Sequence, residues 1–160
     1  MQTRKLGELE VSATGLGCMS MSQAYGKPDR KESERTLGRA LDVGIRFLDT
    51  ACVYGLGHNE RLLGDVLKSR RDEFVLASKC GITVDEKGRR GIDGRPGSIK
   101  RVCEESLKRL QTETIDLYYL HRRDHDVPIE ESAGALGELV AEGKIRHIGL
   151  SEVSSVTLRK

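Results

Sequence analysis

Residues 45–54 read Ile45-Arg46-Phe47-Leu48-Asp49-Thr50-Ala51-Cys52-Val53-Tyr54. The apolar start of this stretch is typical of a short buried strand, and Asp49 ends the strand with a polar side chain. Tyr54 follows in the loop after it. In parallel α/β folds the carboxyl ends of the strands share one edge of the sheet, where ligands bind and reactions occur. The stretch therefore predicts one strand of such a sheet with reactive groups at its end.

The same arrangement, an apolar run closed by a polar residue, recurs along the chain. The closing residues are Lys79 after residues 74–78, His121 after residues 115–120, and Ser151 and Glu152 after residues 145–150. A further strand is predicted at residues 14–18. Amphipathic stretches of helical period follow the strands, at residues 29–43, 59–68, 98–110, 129–142 and 154–160. The alternation predicts five β/α units that build a parallel sheet.

Three local features complete the predicted secondary structure. Residues 4–11 predict a short two-stranded ribbon around Gly7, ahead of the first strand. Residues 85–97 are polar and rich in glycine, which predicts a mobile loop. Asn59 and Ser98 are predicted helix N-caps, because their side chains can accept hydrogen bonds from the free N–H groups of a first turn.

Two folds accommodate five β/α units. A doubly wound open sheet of the flavodoxin type uses five strands in about this length, whereas a closed (β/α)8 barrel takes about 200–250 residues. Length alone therefore favours the open sheet. The glycine patterns with which many open sheets bind phosphate are absent, since the sequence contains neither Gly-x-Gly-x-x-Gly nor a P-loop.

Composition excludes several classes of protein. The 160 residues include 27 Lys and Arg against 25 Asp and Glu, a net charge of +2 with both signs interspersed, which argues against a nucleic-acid binder. An apolar run of about 18 residues and an amino-terminal signal segment are both absent, so we predict a cytoplasmic protein that does not enter membranes. The cysteines, at positions 18, 52, 80 and 103, lie far apart without a Cys-x-x-Cys pair, which predicts free thiols and no metal site.

Asp49, Tyr54, Lys79 and His121 are predicted to meet at the carboxyl edge of the sheet. Taken singly, each has an ordinary structural explanation, such as a turn cap for the aspartate or a solvated rim charge for the lysine. Together they form an acid catalyst, because a phenol with a pKa of about 10 releases its proton near neutral pH only if a neighbouring cation stabilises the phenolate. Lys79 would supply that cation, and Asp49 would pair with it.

His121 would hydrogen-bond the substrate oxygen beside Tyr54. Such a group of donors suits a carbonyl oxygen on which negative charge develops while a hydride adds to its carbon. A hydride must come from a cofactor, because no side chain can supply one.

Cys80 follows Lys79 directly in the sequence. A nearby ammonium favours a thiolate, which predicts a thiol that is sensitive to oxidation. Cys18 and Cys52 also lie at strand ends on this side, and for all three cysteines the sequence favours small buried side chains that only pack.

Several stretches of the chain resemble the aldo-keto reductases, in matching order and spacing. They are Gly15-Leu16-Gly17-Cys18-Met19, residues 47–55, Asn59-Glu60, Ala77-Ser78-Lys79, residues 116–121 and residues 143–151. Within that family the chain looks most like the bacterial and plant branch marked by Gly-Cys-Met near the start and by His-Arg-x-Asp, here residues 121–124.

This resemblance implies a TIM barrel that reduces aldehydes or ketones to alcohols with NADPH. It assigns the family's catalytic tetrad to the four residues above, with Tyr54 as the proton donor. The expected cofactor-binding residues are Cys18, Met19, Asp49, Ser151 and Glu152. Ser151 would contact the nicotinamide carboxamide, and Glu152 stands where many relatives have asparagine.

A family member is roughly twice as long, so the resemblance predicts one domain over residues 1–160 that is incomplete at its C-terminal end. The last three units of the barrel, which carry the family's contacts to the 2′-phosphate of NADP, would be missing. A partly traced chain, a truncated product and two associating half-barrels stay open as explanations, and the last implies a homo-oligomer. A cofactor-binding regulatory subunit of the same fold and an inactive half-barrel are the alternatives to an active enzyme.

Overall fold

The computed structural model describes residues 1–160 and opens with a two-stranded ribbon. Strand β1 (Thr3–Leu6) pairs antiparallel with β2 (Leu9–Ser12). Gly7 makes the turn between them with a φ of 59°, a left-handed conformation that costs glycine little. The predicted ribbon is therefore confirmed.

Strands and helices then alternate to the end of the chain. In order they are β3 (Leu16–Gly17), α1 (Arg30–Asp42), β4 (Phe47–Asp49), α2 (His58–Leu67), β5 (Val75–Cys80), β6 (Ile82–Val84), β7 (Arg90–Ile92), α3 (Pro96–Leu110), β8 (Ile115–Leu120), α4 (Ile129–Ala141), β9 (Ile145–Leu150) and α5 (Ser155–Leu158). Short 3₁₀ turns lie at Met19–Met21 and Lys68–Glu73. None of the helices has the length and apolar character needed to span a bilayer, the longest being α3 with 15 residues.

The main sheet has five parallel strands in the order β3-β4-β5-β8-β9. Neighbours in the sheet are thus the successive strands of the β/α units, with no reversal of order. A doubly wound sheet reverses its order at a switch point, so the open-sheet alternative is wrong. Right-handed crossovers between strands in sequential order place every helix on one face, which is the arrangement of five consecutive units of a (β/α)8 barrel.

The hydrophobic core lies between the helices and the face of the sheet that they cover. Leu48, Leu76, Tyr118 and Leu120 point from the strands into this layer and are almost fully buried. The helices contribute a matching set of buried side chains, Leu37, Leu41, Leu62, Leu67, Ile99, Leu136 and Leu139. Truncating one such leucine to alanine costs about 2–5 kcal/mol of stability. The alternation of a strand then directs its other residues to the opposite face.

Residues 85–97 are not the mobile loop that their composition predicts. Strands β6 and β7 pair antiparallel across this region and form a hairpin that closes at Gly88. Asp85 orders the turn, because its carboxylate accepts hydrogen bonds from the backbone N–H groups of Lys87 and Arg89 at 2.9 and 2.8 Å. Polar turn residues that would solvate a loop instead hold this one in place.

Two predicted helix caps are also wrong. Helix α2 begins at His58 after Gly57, so Asn59 lies inside the first turn and its side chain bonds elsewhere. Helix α3 begins at Pro96, where the fixed φ of proline suits a first helical position, and Ser98 therefore lies beyond the cap. The side-chain caps that do form are Asp29 on α1 and Ser154 on α5.

Candidate active site

Three strand ends and one loop carry the four predicted catalytic residues. Asp49 is the last residue of β4, Lys79 lies near the end of β5, and His121 directly follows β8. The parallel register aligns Asp49 with Ala77 and Lys79 with Tyr119, so each of the three positions lies two residues beyond the preceding one and all three side chains are on the same face of the sheet. The structure thus brings these side chains together at the carboxyl edge of the sheet, on the face away from the helices.

Lys79 is the centre of the cluster. Its Nζ donates hydrogen bonds to Asp49 Oδ1 at 2.5 Å, to the carbonyl oxygen of Thr50 at 2.8 Å and to the Tyr54 hydroxyl at 3.4 Å. The lysine side chain is only 10% exposed. A charge removed from water in this way is tolerated because an anion and hydrogen-bond acceptors replace its hydration.

Tyr54 leans against the ammonium from the loop after β4. Its ring centroid lies 5.1 Å from Lys79 Nζ, within the range in which a cation is attracted to an aromatic face. The backbone of the loop is fixed on both sides of the tyrosine, since its N–H donates to Ala51 and its carbonyl accepts from Asn59. The phenol is therefore presented at the sheet edge by an ordered turn.

His121 faces Tyr54 with ring centroids 6.0 Å apart and an interplanar angle of 82°. Burial, followed by the positive charges of Lys79, Arg122 and Arg90, lowers the pKa of His121 to about 4. The imidazole is thus neutral at neutral pH, with one ring N–H to donate. Nδ1 is buried without a hydrogen-bond partner. We therefore place the ring proton on Nε2, because a buried N–H group without an acceptor costs more than a buried acceptor without a donor.

The predicted cofactor-binding residues lie along the same edge but are not equally accessible. Cys18 is fully buried, and burial raises the pKa of its thiol to about 12. Its side chain therefore offers no free surface, and the assignment of Cys18 to a cofactor site stays a prediction. The adjacent Met19 begins the 3₁₀ turn and keeps an exposed surface, and Asp49 keeps 31% of its side chain exposed.

Ser151 and Glu152 follow β9, one strand beyond His121, and Arg122 links them to it. Arg122 donates to the carbonyl oxygen of His121 at 2.7 Å and to the Ser151 hydroxyl at 3.3 Å, and pairs with Glu152 at 2.9 Å. Glu152 adopts the left-handed conformation, with a φ of 54°. The His-Arg-x-Asp motif contains Arg122, but no pattern in the sequence predicts its link to Ser151 and Glu152.

A buried ion pair supports Lys79 from the helix side of the sheet. Glu60 is completely buried, accepts from the Ser78 hydroxyl at 2.6 Å and pairs with Arg109 at 2.6 Å. Removing one partner of such a pair leaves an uncompensated buried charge, which costs about 3–5 kcal/mol. The neighbour of Lys79 in the strand is thereby tied to helices α2 and α3.

The predicted redox role of Cys80 is wrong. The side chain points to the helices, opposite to Lys79, because consecutive residues of a strand face opposite sides. Burial raises the pKa of the thiol well above its usual range, and the sulfur lies 3.5 Å from the carbonyl oxygen of Tyr119. Cys80 is a packing residue, and the four cysteines of the chain are free thiols.

Comparison with known proteins gives consistent results at the level of sequence. The profile of the Aldo/keto reductase family matches residues 13–160. The soybean (Glycine max) protein named probable aldo-keto reductase 1 is 44% identical and is matched over 100% of this chain and 47% of its own length. A Schizosaccharomyces pombe protein, aldo-keto reductase yakc, carries NADP(+) in its name; it is 42% identical over 99% of this chain and 47% of its own.

Solved structures of aldo-keto reductases are also similar to this chain. The holo form of an aldo-keto reductase from Bacillus halodurans superposes with a TM-score of 0.88 at 39% identity, over 99% of this chain and 53% of that one. An aldo/keto reductase from Klebsiella pneumoniae, solved in complex with NADP and acetate, gives a TM-score of 0.78 at 33% identity, over 94% of this chain and 49% of that one. The chain spans about half the length of the relatives it matches, and it belongs to the aldo/keto reductase family.

Proposed function

We propose that this chain supplies the catalytic half of a reductase that converts aldehydes or ketones to alcohols with NADPH as the hydride donor. The observation that carries the proposal is the contact of the Lys79 ammonium with both Asp49 and the Tyr54 hydroxyl, opposite a neutral His121. Residues 1–160 would then be one domain that further β/α units complete. The NADP named for two relatives supports the choice of cofactor.

The groups at the sheet edge fit the nicotinamide end of such a cofactor. A carboxamide both donates and accepts hydrogen bonds. The Ser151 hydroxyl can donate to its oxygen or accept from its NH2 group, and the second carboxylate oxygen of Asp49 can accept from that NH2 group. Met19 offers an apolar surface beside them. When bound, the nicotinamide supplies the hydride that no side chain can provide.

Tyr54 is the proton donor in this proposal. As a substrate carbonyl oxygen gains negative charge, the phenol transfers its proton to that oxygen and becomes a phenolate. Lys79 stabilises the phenolate, since its third N–H already points at the Tyr54 oxygen from 3.4 Å. Asp49 holds the ammonium in place through its contact with Nζ at 2.5 Å.

His121 orients the substrate and does not protonate it. With a pKa of about 4, the ring has lost its ionisable proton at neutral pH, so proton transfer falls to Tyr54. A neutral imidazole can still donate one hydrogen bond to the carbonyl oxygen. Tyr54 and His121 would then hold that oxygen from two sides.

The test is a chimera in which residues 1–160 are joined to the part of the Bacillus halodurans relative that lies beyond the matched half. We expect NADPH-dependent reduction of a simple aldehyde, followed as the loss of NADPH absorbance. Tyr54→Phe should lower kcat by about 100-fold or more and leave NADPH binding in place, because only the proton donor is removed. A Tyr54→Phe chimera that keeps more than about a tenth of the parental kcat would contradict general acid catalysis by Tyr54.

The same chimera separates the alternatives. A regulatory cofactor-binding subunit would bind NADPH without turnover, and an inactive half-barrel would show neither. The control is the unmodified Bacillus halodurans protein, which shows whether the assay detects carbonyl reduction by this fold.

A further inference from the structure

Asn59 joins three segments of the candidate active site. Its side chain is completely buried within the first turn of α2. The amide oxygen accepts from the Thr50 hydroxyl at 2.6 Å, and the amide nitrogen donates to the carbonyl oxygen of Cys18 and to the hydroxyl of Ser22, both at 2.8 Å. The two donors and the acceptor fix which way the amide points.

Thr50 carries this fixed geometry to Lys79. It is completely buried, its N–H donates to Ala77 at 2.9 Å, and its carbonyl oxygen accepts from Lys79 Nζ at 2.8 Å. Its hydroxyl is the group bound to Asn59. The carbonyl that receives the ammonium is therefore held through both the backbone and the side chain of the same residue.

The Thr50 carbonyl determines whether an N–H bond of the Lys79 ammonium points at the Tyr54 phenol. A lysine ammonium has three N–H bonds in a fixed tetrahedral arrangement. Asp49 and Thr50 occupy two of them at 2.5 and 2.8 Å, which leaves the third directed at the Tyr54 oxygen. A shift of the Thr50 carbonyl would rotate the third N–H away from Tyr54.

We propose that Asn59 is a positioning residue for proton transfer: through Thr50 it aims the Lys79 ammonium at the Tyr54 oxygen. This inference rests on the proposed function. Because the phenolate exists only as the proton leaves, loss of Asn59 should lower kcat far more than it changes KM. A residue that merely stabilised the fold would lower the melting temperature and leave the pH profile of kcat unchanged.

Four variants of the chimera described above test the proposal. Asn59→Ala removes the hydrogen bond between Asn59 and the Thr50 hydroxyl, which we call the clamp. Thr50→Val removes the same bond by deleting only the hydroxyl, and it keeps the size of the side chain and the backbone carbonyl. Both should lower kcat by about 10- to 100-fold, change KM by less than about threefold and move the alkaline limb of the kcat profile to higher pH. Thr50→Ser, which keeps the hydroxyl, should restore most of the rate. Ser22→Ala is the matched control, since it deletes another partner of the same amide and leaves the Thr50 bond.

Hydrogen exchange of the Lys79 ammonium, followed by NMR in the 160-residue chain, gives a readout that needs no turnover. We expect Asn59→Ala and Thr50→Val to accelerate this exchange and Ser22→Ala to leave it unchanged. Normal kcat and an unmoved pH profile in both clamp variants would overturn the proposal, as would unchanged exchange. A parental chimera without turnover would refute the proposed function, and the exchange rates would still decide the role of Asn59. If Asn59→Ala does not fold, Thr50→Val, which leaves no cavity, decides both readouts.

Discussion

Replacing Lys79 with methionine tests the electrostatic part of the proposed mechanism. Lys79 Nζ lies 3.4 Å from the Tyr54 oxygen, and two unit charges at that distance interact by about 5 kcal/mol at an effective dielectric constant of about 20. Each 1.36 kcal/mol changes a rate tenfold. Because the phenolate carries only part of its charge in the transition state, we expect kcat to fall by about 100- to 1,000-fold. Methionine nearly matches the lysine stem in length, so packing changes little.

The carboxylate of Asp49 makes this prediction sharper. It contacts Lys79 Nζ at 2.5 Å, which places it within about 6 Å of the Tyr54 oxygen. In Lys79→Met the carboxylate is unpaired and repels a fully charged phenolate by about 3 kcal/mol at about 6 Å and the same dielectric constant, and it repels the partly formed phenolate by less. Adding Asp49→Asn should therefore restore about 10- to 100-fold of the lost rate, a non-additive result that a double-mutant cycle measures directly.

The assay is single-turnover reduction of an aldehyde by the chimera with NADPH bound beforehand, so that cofactor affinity does not enter the rate. NADPH fluorescence gives that affinity separately for each variant. If Lys79→Met stays within tenfold of the parental rate, the ammonium is not needed to stabilise the phenolate. If Asp49→Asn further slows the Lys79→Met variant, the carboxylate acts in some other way than by its charge.

Three further predictions concern the 160-residue chain. Folding lowers the pKa of His121 from about 6.5 to about 4, so its contribution to stability is full above pH 6.5 and is lost as pH falls towards 4. The free energy of unfolding in urea should therefore fall between about pH 7 and about pH 4.5 by up to about 3 kcal/mol less in His121→Gln than in the parent. Cys80 should react with a thiol reagent only on unfolding, and modification of the native chain detected by mass spectrometry would contradict its burial. The 160-residue chain should self-associate, because β3 and β9 each present an unpaired edge. It should also bind NADPH weakly, because the contacts to the 2′-phosphate that the family resemblance implies are not among its residues. A monomer in sedimentation that binds NADPH at micromolar affinity would refute both expectations.

The strand-end residues could be predicted from the sequence because their signal is local. An apolar run closed by Asp49, Lys79 or His121 marks both the strand and the direction in which it ends. The order of the strands could not be predicted in this way, since sequential and reversed orders use the same β/α units. Length then pointed to the open sheet, and the pairing of consecutive strands shows the barrel order.

The misread residues share a different cause. Asn59 has the side chain of a helix cap, but Gly57, with a φ of 83°, takes the N-cap position two residues earlier and leaves the amide free to bind Thr50. Asp85 has the side chain of a solvated loop, but a hairpin gives it backbone partners. Asn59 thus binds distant partners where a local cap was predicted, and Asp85 binds local backbone N–H groups where solvent was predicted. The same hydrogen-bonding groups can serve either set of partners, and only the folded chain decides between them.

Half a barrel can assemble the candidate catalytic group because of where its members lie. Asp49, Lys79 and His121 come from three neighbouring strands, β4, β5 and β8, and neighbouring strands are only about 4.8 Å apart. Their side chains therefore converge without closure of the sheet, and Tyr54 joins them from the loop of the first of these strands. Completing the barrel would remove more water from His121 and lower its pKa further, so the acid sensitivity that His121 contributes should extend to lower pH in the chimera than in the 160-residue chain.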